Sequence, residues 1–224
     1  KRSGRHLIEV RQPAESFKPG TGIKRSGKRL LTVGTDCAIG KKYAALAIEK
    51  EMRSRGIDAD FRATGQTGIF ISGRGVAIDS VVSDFVSGAA EWLSPAAAPD
   101  HWDIIEGQGA LFHPAYAGVT LGLIHGSQPD LLVLCHEVGR THLGGFEGFA
   151  IPSLESCMET YLAAARLTNP RARFAGVSLN TSRSGEAAAA RALAETSARL
   201  SLPCCDPIRG GVGPIVDNIL SMAG

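Results

Sequence analysis

The chain has 224 residues, of which 44% are hydrophobic and 21% charged, as expected for a globular protein with a buried core. Its formal net charge is only +2, and no apolar run reaches the length of a membrane span, so we expect no membrane partner. Five cysteines without a CxxC pair predict reduced thiols in a cytoplasmic protein, rather than a disulfide framework.

Basic residues are concentrated near the start of the sequence. Residues 1–31 contain nine Lys or Arg and two Glu, which leaves 15 basic and 20 acidic residues in the rest of the chain. This leader is also rich in Gly, Ser and Pro, so residues 1–28 are predicted to form a solvated linker before one domain over residues 29–224. That domain has no basic stripe interleaved with aromatic residues, so no nucleic-acid partner is expected.

Apolar runs alternate with helical patterns from residue 29 onward. Strands are predicted over residues 29–34, 59–65, 103–106, 131–135, 176–180 and 202–206, and helices over residues 41–55, 153–167, 185–200 and a short stretch at the end. Strands that alternate with long helices predict an α/β fold with a mostly parallel, doubly wound sheet and three α/β/α layers. Ligands bind such sheets at the carboxyl ends of the strands, where this sequence places its polar clusters.

The loop after the first predicted strand is typical of phosphate binding. It comprises Gly34, Thr35, Asp36, Cys37, Ala38, Ile39, Gly40, Lys41 and Lys42, and it leads into a helix. Backbone N–H groups and the helix N-terminus attract an anion, and Lys41 adds a point charge. Thr35 stands where a P-loop has its first Gly, and Lys42 replaces the Ser or Thr that binds magnesium. The loop is therefore predicted to hold phosphates rather than to cleave them.

Two residues after later strands are candidate catalytic groups. Glu106 ends a strand in the position of a Walker-B carboxylate and suits a general base or a metal ligand, or else it only orders its own loop. His113 lies among aromatic residues, where it either titrates near neutral pH or packs in the core. Backbone N–H groups of residues 65–68 or 107–109 are candidate donors to an oxyanion.

The remaining polar residues near strand ends are candidate substrate ligands: Thr64, Gln66, Thr67, Tyr116, His136, Arg140 and Arg209. Arg140 and Arg209 are of the type that pairs carboxylates bidentately, with surface salt bridging as the alternative. The spacing of Cys135, His136 and His142 does not fit zinc, so no metal site is predicted.

Much of the sequence from residue 29 to residue 211 resembles the D-glutamate N-acetyltransferase family, formerly known only as a conserved protein of unknown function. The resemblance is carried by LLTVGTDCAIGKKY, DADFRATGQTGI, VVSDFVSGAAEWLSP, EGQGALFHPAYAGVTLGLIHGSQPD, LLVLCHEVGR, SLNTS and DPIRGG. The phosphate loop is also similar, more distantly, to that of dethiobiotin synthetase and related P-loop proteins.

The resemblance implies a transferase that moves an acetyl group from acetyl-CoA to the α-amine of D-glutamate or a similar acidic amino acid. The phosphate loop would then hold the coenzyme A phosphates, and Lys42, Arg140 or Arg209 the carboxylates of the acceptor. Members of that family join an N-terminal Rossmann-like domain to this P-loop domain, so residues 1–28 would be the end of the connecting linker. A homo-oligomer is expected, because exposed helices on a parallel sheet often mediate self-association.

Two other functions remain open at the level of sequence. One is an ATP- and Mg²⁺-dependent ligase or kinase similar to dethiobiotin synthetase, in which Asp36 and Glu106 would hold magnesium. The other is a nucleotide-binding module without turnover. A requirement for magnesium distinguishes the first from acetyl transfer, and any multiple-turnover product excludes the second.

Overall fold

The computed structural model describes residues 9–13 and 15–222. Its strands are β1 (Lys28–Gly34), β2 (Ala59–Arg62), β3 (Trp102–Ile105), β4 (Leu131–Glu137), β5 (His142–Leu143), β6 (Phe146–Ala150), β7 (Arg173–Asn180) and β8 (Cys204–Cys205). Its α-helices are α1 (Lys41–Ser54), α2 (Gln66–Ser72), α3 (Val86–Leu93), α4 (Ala117–Ser127), α5 (Leu154–Arg166), α6 (Glu186–Leu200) and α7 (Gly213–Met222). None of the helices in the described ranges is both long and apolar enough to span a bilayer.

Six strands form one sheet in the order β2-β3-β1-β4-β7-β8, and each neighbouring pair is parallel. The predicted parallel α/β fold is confirmed. Strand β1 lies between β3 and β4. The next strands in the sequence, β2 and β3, lie on one side of β1, and the later strands β4, β7 and β8 lie on the other side. Ligands of such sheets bind at this reversal point, outside the carboxyl end of the strand. The predicted phosphate loop follows β1 and therefore lies there.

Helices cover both faces of the sheet, which gives the predicted three layers. On one face Leu30 of β1 packs in a core with Ile48 of α1 and Ile215 of α7. On the other face the next residue, Leu31, packs in a second core with Ile124 of α4 and Tyr161 of α5. Successive side chains of a strand point to opposite faces, so one buried strand supplies both cores.

Helix α1 forms as the sequence pattern predicts. Its buried residues Ala44, Ala45, Ile48 and Met52 recur every three or four positions and face the sheet. The helix begins after Gly40, whose φ of 115° lies in the left-handed region that glycine adopts without strain. The first turn of α1 therefore points its backbone N–H groups at the loop.

The strand predicted over residues 59–65 is shorter, because β2 ends at Arg62. Beyond it, the N–H groups of Thr64 and Gly65 bind the carboxylate of Glu106 instead of a neighbouring strand. The polar residues that follow then enter α2 at Gln66, a helix that the sequence did not predict. The last strand, predicted over residues 202–206, is confined to β8.

Helices α3 and α4 have no counterpart among the predicted elements. The apolar residues of α4 are spread around the helix rather than gathered in one stripe, so no 3.6-residue period marks it. Glycines of α4 permit close packing on α3: a Cβ at Gly122 would overlap Val86, and one at Gly126 would overlap the carbonyl of Ser87. The contact thus depends on small residues that carry little sequence signal.

The end of the basic segment is anchored to the domain, while residues 18–24 are exposed. Arg29 is fully buried, and its guanidinium donates to the carbonyls of Arg25, Ser26, Gly27, Ser94 and Pro95. Its Nε also lies 4.0 Å from the carboxylate of Asp103. We call residues 21–29 the strap, because this one side chain ties them to the end of α3.

Contacts of other residues also hold the strap. Lys24 donates to the carbonyl of Gln128 and pairs with Asp130 at 2.8 Å. The N–H groups of Thr21 and Gly22 bind the carboxylate of Glu91. The first eight residues of the predicted linker lie outside the described ranges, and its assignment as an interdomain linker stays a prediction.

Replacing Arg29 by Ala should destabilise the protein strongly, because five carbonyls and Asp103 would lose a buried cation. We expect a loss of about 3 kcal/mol or more in the free energy of unfolding, measured by urea denaturation. Arg53→Ala is the control, since Arg53 is exposed and pairs only with Glu49 one turn away, and it should cost at most about 0.5 kcal/mol. Equal stability of the two variants would contradict the clamp role of Arg29.

Candidate functional site

The phosphate loop is closed by its own lysine. Lys41, only 6% exposed, donates from Nζ to the carbonyl of Asp36 at 2.7 Å. Burial lowers the pKa of Lys41, while nearby thiols and the carboxylates of Asp36 and Glu106 act in the opposite sense. A bound phosphate would add negative charge beside this ammonium and favour its protonated form.

A cleft of about 540 Å³ opens beside the loop. Its walls are residues 37–43 of the loop and α1, residues 106–109 after β3, and three side chains from elsewhere, Asp79, Tyr116 and Val119. The predicted loop residues from Cys37 to Lys42, Glu106 and Tyr116 thus meet in one place. Gln108, Asp79 and Tyr43 also line it, and sequence reasoning did not single them out.

Glu106 lies on the cleft just beyond the end of β3. Its Oε2 accepts the N–H groups of Thr64 at 3.0 Å and Gly65 at 3.1 Å, and among the described residues no hydrogen bond reaches Oε1. Burial raises the pKa of the carboxyl group, against the opposing effect of these N–H groups, Lys42 and Lys41. A carboxylate that is held by one oxygen and offers the other to the cleft is arranged as a proton acceptor.

Thr64, Gln66 and Thr67, which were predicted as substrate ligands, do not line the cleft. The hydroxyl of Thr64 donates to the carbonyl of Glu106 at 2.7 Å and accepts from Gln108, so it supports the catalytic candidate. Gln66 and Thr67 begin α2, are exposed, and do not line the cleft. The N–H of Gly107 is already bound by Thr32, as that of Gly65 is by Glu106, so neither is available to an oxyanion.

His113 is buried, with 1% of its surface exposed, and lies next to the loop. Its ring stacks on Tyr116 at a centroid distance of 4.5 Å and meets Phe146 edge-on at 4.8 Å. One ring nitrogen lies within 4.8 Å of both the Cys37 thiol and the Asp36 carboxylate. The N–H of Ala115 donates to Nδ1, so the neutral ring carries its proton on Nε2 and offers a donor there.

A buried ion pair fixes the loop from outside. Asp36 is fully buried, and its Oδ2 accepts from Arg140 at 2.7 Å and from the N–H of Gly144 at 2.8 Å. Arg140 also donates to the carbonyl of Cys37 and pairs with Glu137 at 2.7 Å. Both terminal nitrogens of Arg140 are thus engaged within the protein, which argues against its predicted role in binding a substrate carboxylate.

Tyr161 of α5 is a second external support that the sequence did not reveal. Its hydroxyl donates to the carbonyl of Gly34 at 2.7 Å and accepts from the N–H of Leu111 at 3.2 Å. The residue is fully buried, and burial raises the pKa of its phenol. It lies 127 positions after Gly34, so no local pattern connects the two.

The remaining predicted ligands lie away from the main cleft. His136 contacts the Thr35 hydroxyl through Nδ1 at 2.9 Å, and burial lowers its pKa. It lines a separate cavity of about 340 Å³ with residues of α5 and α6. Arg209 donates to the carbonyls of Thr181 and Ser184. Like Arg140, it already has acceptors within the protein.

A smaller cavity of about 210 Å³ adjoins the main cleft across the loop. It shares Ile39, Gly40 and Tyr43 with the cleft, and its other wall consists of residues 178–182 and 206–208. Apolar side chains such as Ile39 and Ile208 face an amide, Asn180, which suits a flat ring with polar edges. Together the two cavities form a continuous path over Gly40.

Residues 18–216 match a family model described as "Domain of unknown function (DUF1611_C) P-loop domain". A D-glutamate N-acetyltransferase from a Pseudoalteromonas species is 55% identical over 214 residues, which cover 96% of this chain and 64% of that protein. A D-glutamate N-acetyltransferase from Tritonibacter scottomollicae is 49% identical over 220 residues, which cover 98% of this chain and 66% of that protein. This chain therefore spans less than two thirds of the length of either relative.

Similarity extends to a solved structure. The crystal structure of a DUF1611 family protein from Anabaena variabilis superposes with a TM-score of 0.91 at 37% sequence identity. The match covers 98% of this chain and 65% of the other.

Replacing Lys41 by Ala should weaken the binding of phosphate-bearing ligands, because it removes the buried ammonium of the loop. With coenzyme A and ADP as probes, we expect Kd from isothermal titration calorimetry to rise about 10- to 100-fold, as for loss of a hydrogen bond to a charged group. Lys50→Ala, on the exposed side of α1, is the control and should bind as the wild type does. A Lys41→Ala variant of unchanged affinity and intact circular dichroism would disprove the phosphate-loop assignment.

Proposed function

We propose a function for this chain, which belongs to the family of DUF1611 P-loop domains: it is the phosphate-binding part of an N-acetyltransferase. The donor is acetyl-CoA, and the acceptor is the α-amine of D-glutamate or a similar acidic amino acid. Two relatives named D-glutamate N-acetyltransferase, 55% and 49% identical, support the reaction. The observation that carries the proposal is the cleft that joins the phosphate loop to the carboxylate of Glu106.

The two adjoining cavities suit the two ends of coenzyme A. Its phosphates would lie on the loop near Lys41 and Lys42, and its adenine in the smaller cavity beside Asn180. Lys42 occupies the place of a magnesium-binding hydroxyl, and its Nζ lies 5.1 Å from the ring of Tyr43 with no ion pair in the described chain. A lysine there neutralises phosphate charge without a metal.

Glu106 is the proposed general base. The acceptor amine is protonated at neutral pH and must lose a proton before it can attack a thioester carbonyl. Glu106 lines the cleft, no donor among the described residues reaches its Oε1, and burial raises the pKa of the carboxyl group. His113 carries its proton on Nε2, so it suits a donor better than a base.

The acceptor's carboxylates need a cation. The sequence offers Lys42, Arg140 and Arg209, and both arginines are already bound to protein acceptors. Lys42 lines the cleft and has no ion pair among the described residues. We therefore assign to Lys42 the recognition of an anionic group of the acceptor or of the donor phosphates.

The ATP- and Mg²⁺-dependent alternative is less well supported by the same geometry. It needs Asp36 as a magnesium ligand, but Arg140 and Gly144 occupy Oδ2 and the N–H of Cys37 occupies Oδ1. A cation would have to displace Arg140 from a fully buried partner. The alternative of a binding module without turnover is tested by activity alone.

Coenzyme A release from acetyl-CoA should be faster with D-glutamate than with L-glutamate, in EDTA and without ATP. The thiol is measured with a chromogenic disulfide, using the chain and, as a positive control, the full-length Pseudoalteromonas relative. A reaction that requires ATP and Mg²⁺ would instead favour the ligase. Tight coenzyme A binding by a chain that never turns over would favour the binding module.

Glu106→Gln should reduce kcat/KM by about 10²- to 10⁴-fold, as expected for loss of a general base. In the wild type the base is active only as the carboxylate, so the rate should fall as the pH decreases through its raised pKa. This acid limb should lie above the ordinary Glu value of about 4.3 and should be absent from the variant. Glu159→Gln, at an exposed position of α5, is the control. A wild-type profile in Glu106→Gln would refute the assignment.

A further inference from the structure

Cys37 differs from the other cysteines in its position. It is half-buried and lines the main cleft, whereas the others do not line it: Cys135, Cys157, Cys204 and Cys205. Its place in the phosphate loop puts it on the same cleft as Glu106 and Tyr116. Of the five thiols in the sequence, it is therefore the one that a ligand on the loop can reach.

The surroundings of Cys37 fix its backbone and supply positive charge. Its N–H donates to Asp36 at 2.6 Å, and its carbonyl accepts from Arg140 at 3.1 Å. Burial raises the pKa of the thiol, and so does the carboxylate of Asp36, while Lys41 and Arg140 act in the opposite direction. The thiol is thus protonated at rest and needs a base before it can react.

His113 lies beside the thiol. It is 99% buried, with one ring nitrogen within 4.8 Å of the Cys37 sulfur, and Tyr116 and Phe146 hold its ring in place. Ala115 occupies Nδ1, and no hydrogen bond from the described residues reaches Nε2. The N–H on Nε2 is therefore available to a ligand or to a developing charge.

A metal ion fits this cluster less well than a nucleophile does. Asp36, Cys37 and His113 could each offer a ligand atom, but both oxygens of Asp36 already accept hydrogen bonds. A metal-bound histidine usually donates from its second nitrogen, whereas Nδ1 of His113 accepts from a backbone N–H. The surroundings suit a thiolate better. Lys41 supplies positive charge, and Glu106, which lines the same cleft, is a candidate base.

We propose that Cys37 takes the acetyl group from the donor before the acceptor receives it, so that the reaction passes through an acetyl-cysteine. This rests on the proposed N-acetyltransferase function. In the first step Glu106 takes the thiol proton, the Cys37 sulfur bonds to the acetyl carbon, the carbon–sulfur bond to coenzyme A breaks, and the leaving thiolate takes the proton. His113 donates to the charge that develops on the carbonyl oxygen.

The second step releases the thiol again. Glu106 takes a proton from the acceptor's ammonium, and the free amine attacks the carbonyl of acetyl-Cys37. Glu106 releases that proton to solvent. The carbon–sulfur bond to Cys37 then breaks, the nitrogen passes its second proton through Glu106 to the leaving thiolate, and an amide forms. No oxidant or metal is needed, and the sum of both steps is transfer of one acetyl group from a thioester to an amine.

The test is to expose the protein to acetyl-CoA without an acceptor, quench it in acid and measure its intact mass. We expect one added acetyl group, located on Cys37 by peptide mapping, and its loss when D-glutamate is added before the quench. Cys37→Ala should lack the label and lose about 10²-fold or more in kcat. Cys204→Ala, which changes a thiol outside the cleft, should keep both label and turnover.

Each outcome separates the relay from the proposed function. Turnover without acetyl on Cys37, or full turnover by Cys37→Ala, overturns the relay and leaves direct acetyl transfer in place. A label on Cys37 that D-glutamate does not remove supports the relay and overturns the proposed acceptor. Absence of both label and product overturns the relay together with the acetyl-CoA proposal.

Discussion

The phosphate loop has to be held from outside, because the N–H groups that would bind an anion cannot also bind the loop itself. The buried pair of Asp36 and Arg140 supplies most of this support, and Arg140 reaches back over 104 positions to make it. Such a pair stabilises the fold little compared with apolar packing, but breaking it costs about 3–5 kcal/mol, because one charge is left buried alone. Cys37 is held by the same two residues, because its N–H donates to Asp36 and its carbonyl accepts from Arg140.

Burial beside the cleft shifts the pKa values of two ionisable groups in opposite directions. Burial lowers the pKa of Lys41 and raises that of Glu106, so each is pushed towards its neutral form. A phosphate on the loop would favour the ammonium of Lys41. Glu106, by contrast, is useful as a base because its proton affinity is increased. Burial therefore opposes the charge of Lys41 until an anion binds, and it strengthens Glu106 as a proton acceptor.

The sequence was sufficient for the features that depend on local order. Alternating strands and helices predicted the parallel sheet, and the spacing from Gly34 to Lys41 predicted the loop between β1 and α1. It was insufficient where a residue acts through a distant partner. Arg140 has the chemistry of a carboxylate ligand, and only the fold shows that its carboxylate is Asp36. Helix α4 was missed because helices covered by neighbours need no apolar stripe.

The strap makes the two ends of β1 mechanically unequal. Tension applied to the chain upstream of residue 21 would reach the contact with Glu91 of α3 before it reached the strand. The force would then act on α3 and α4, whose close packing depends on Gly122 and Gly126. The loop at the opposite end of β1 is shielded from that load, so a neighbouring segment can move without disturbing the geometry of Asp36 and Cys37.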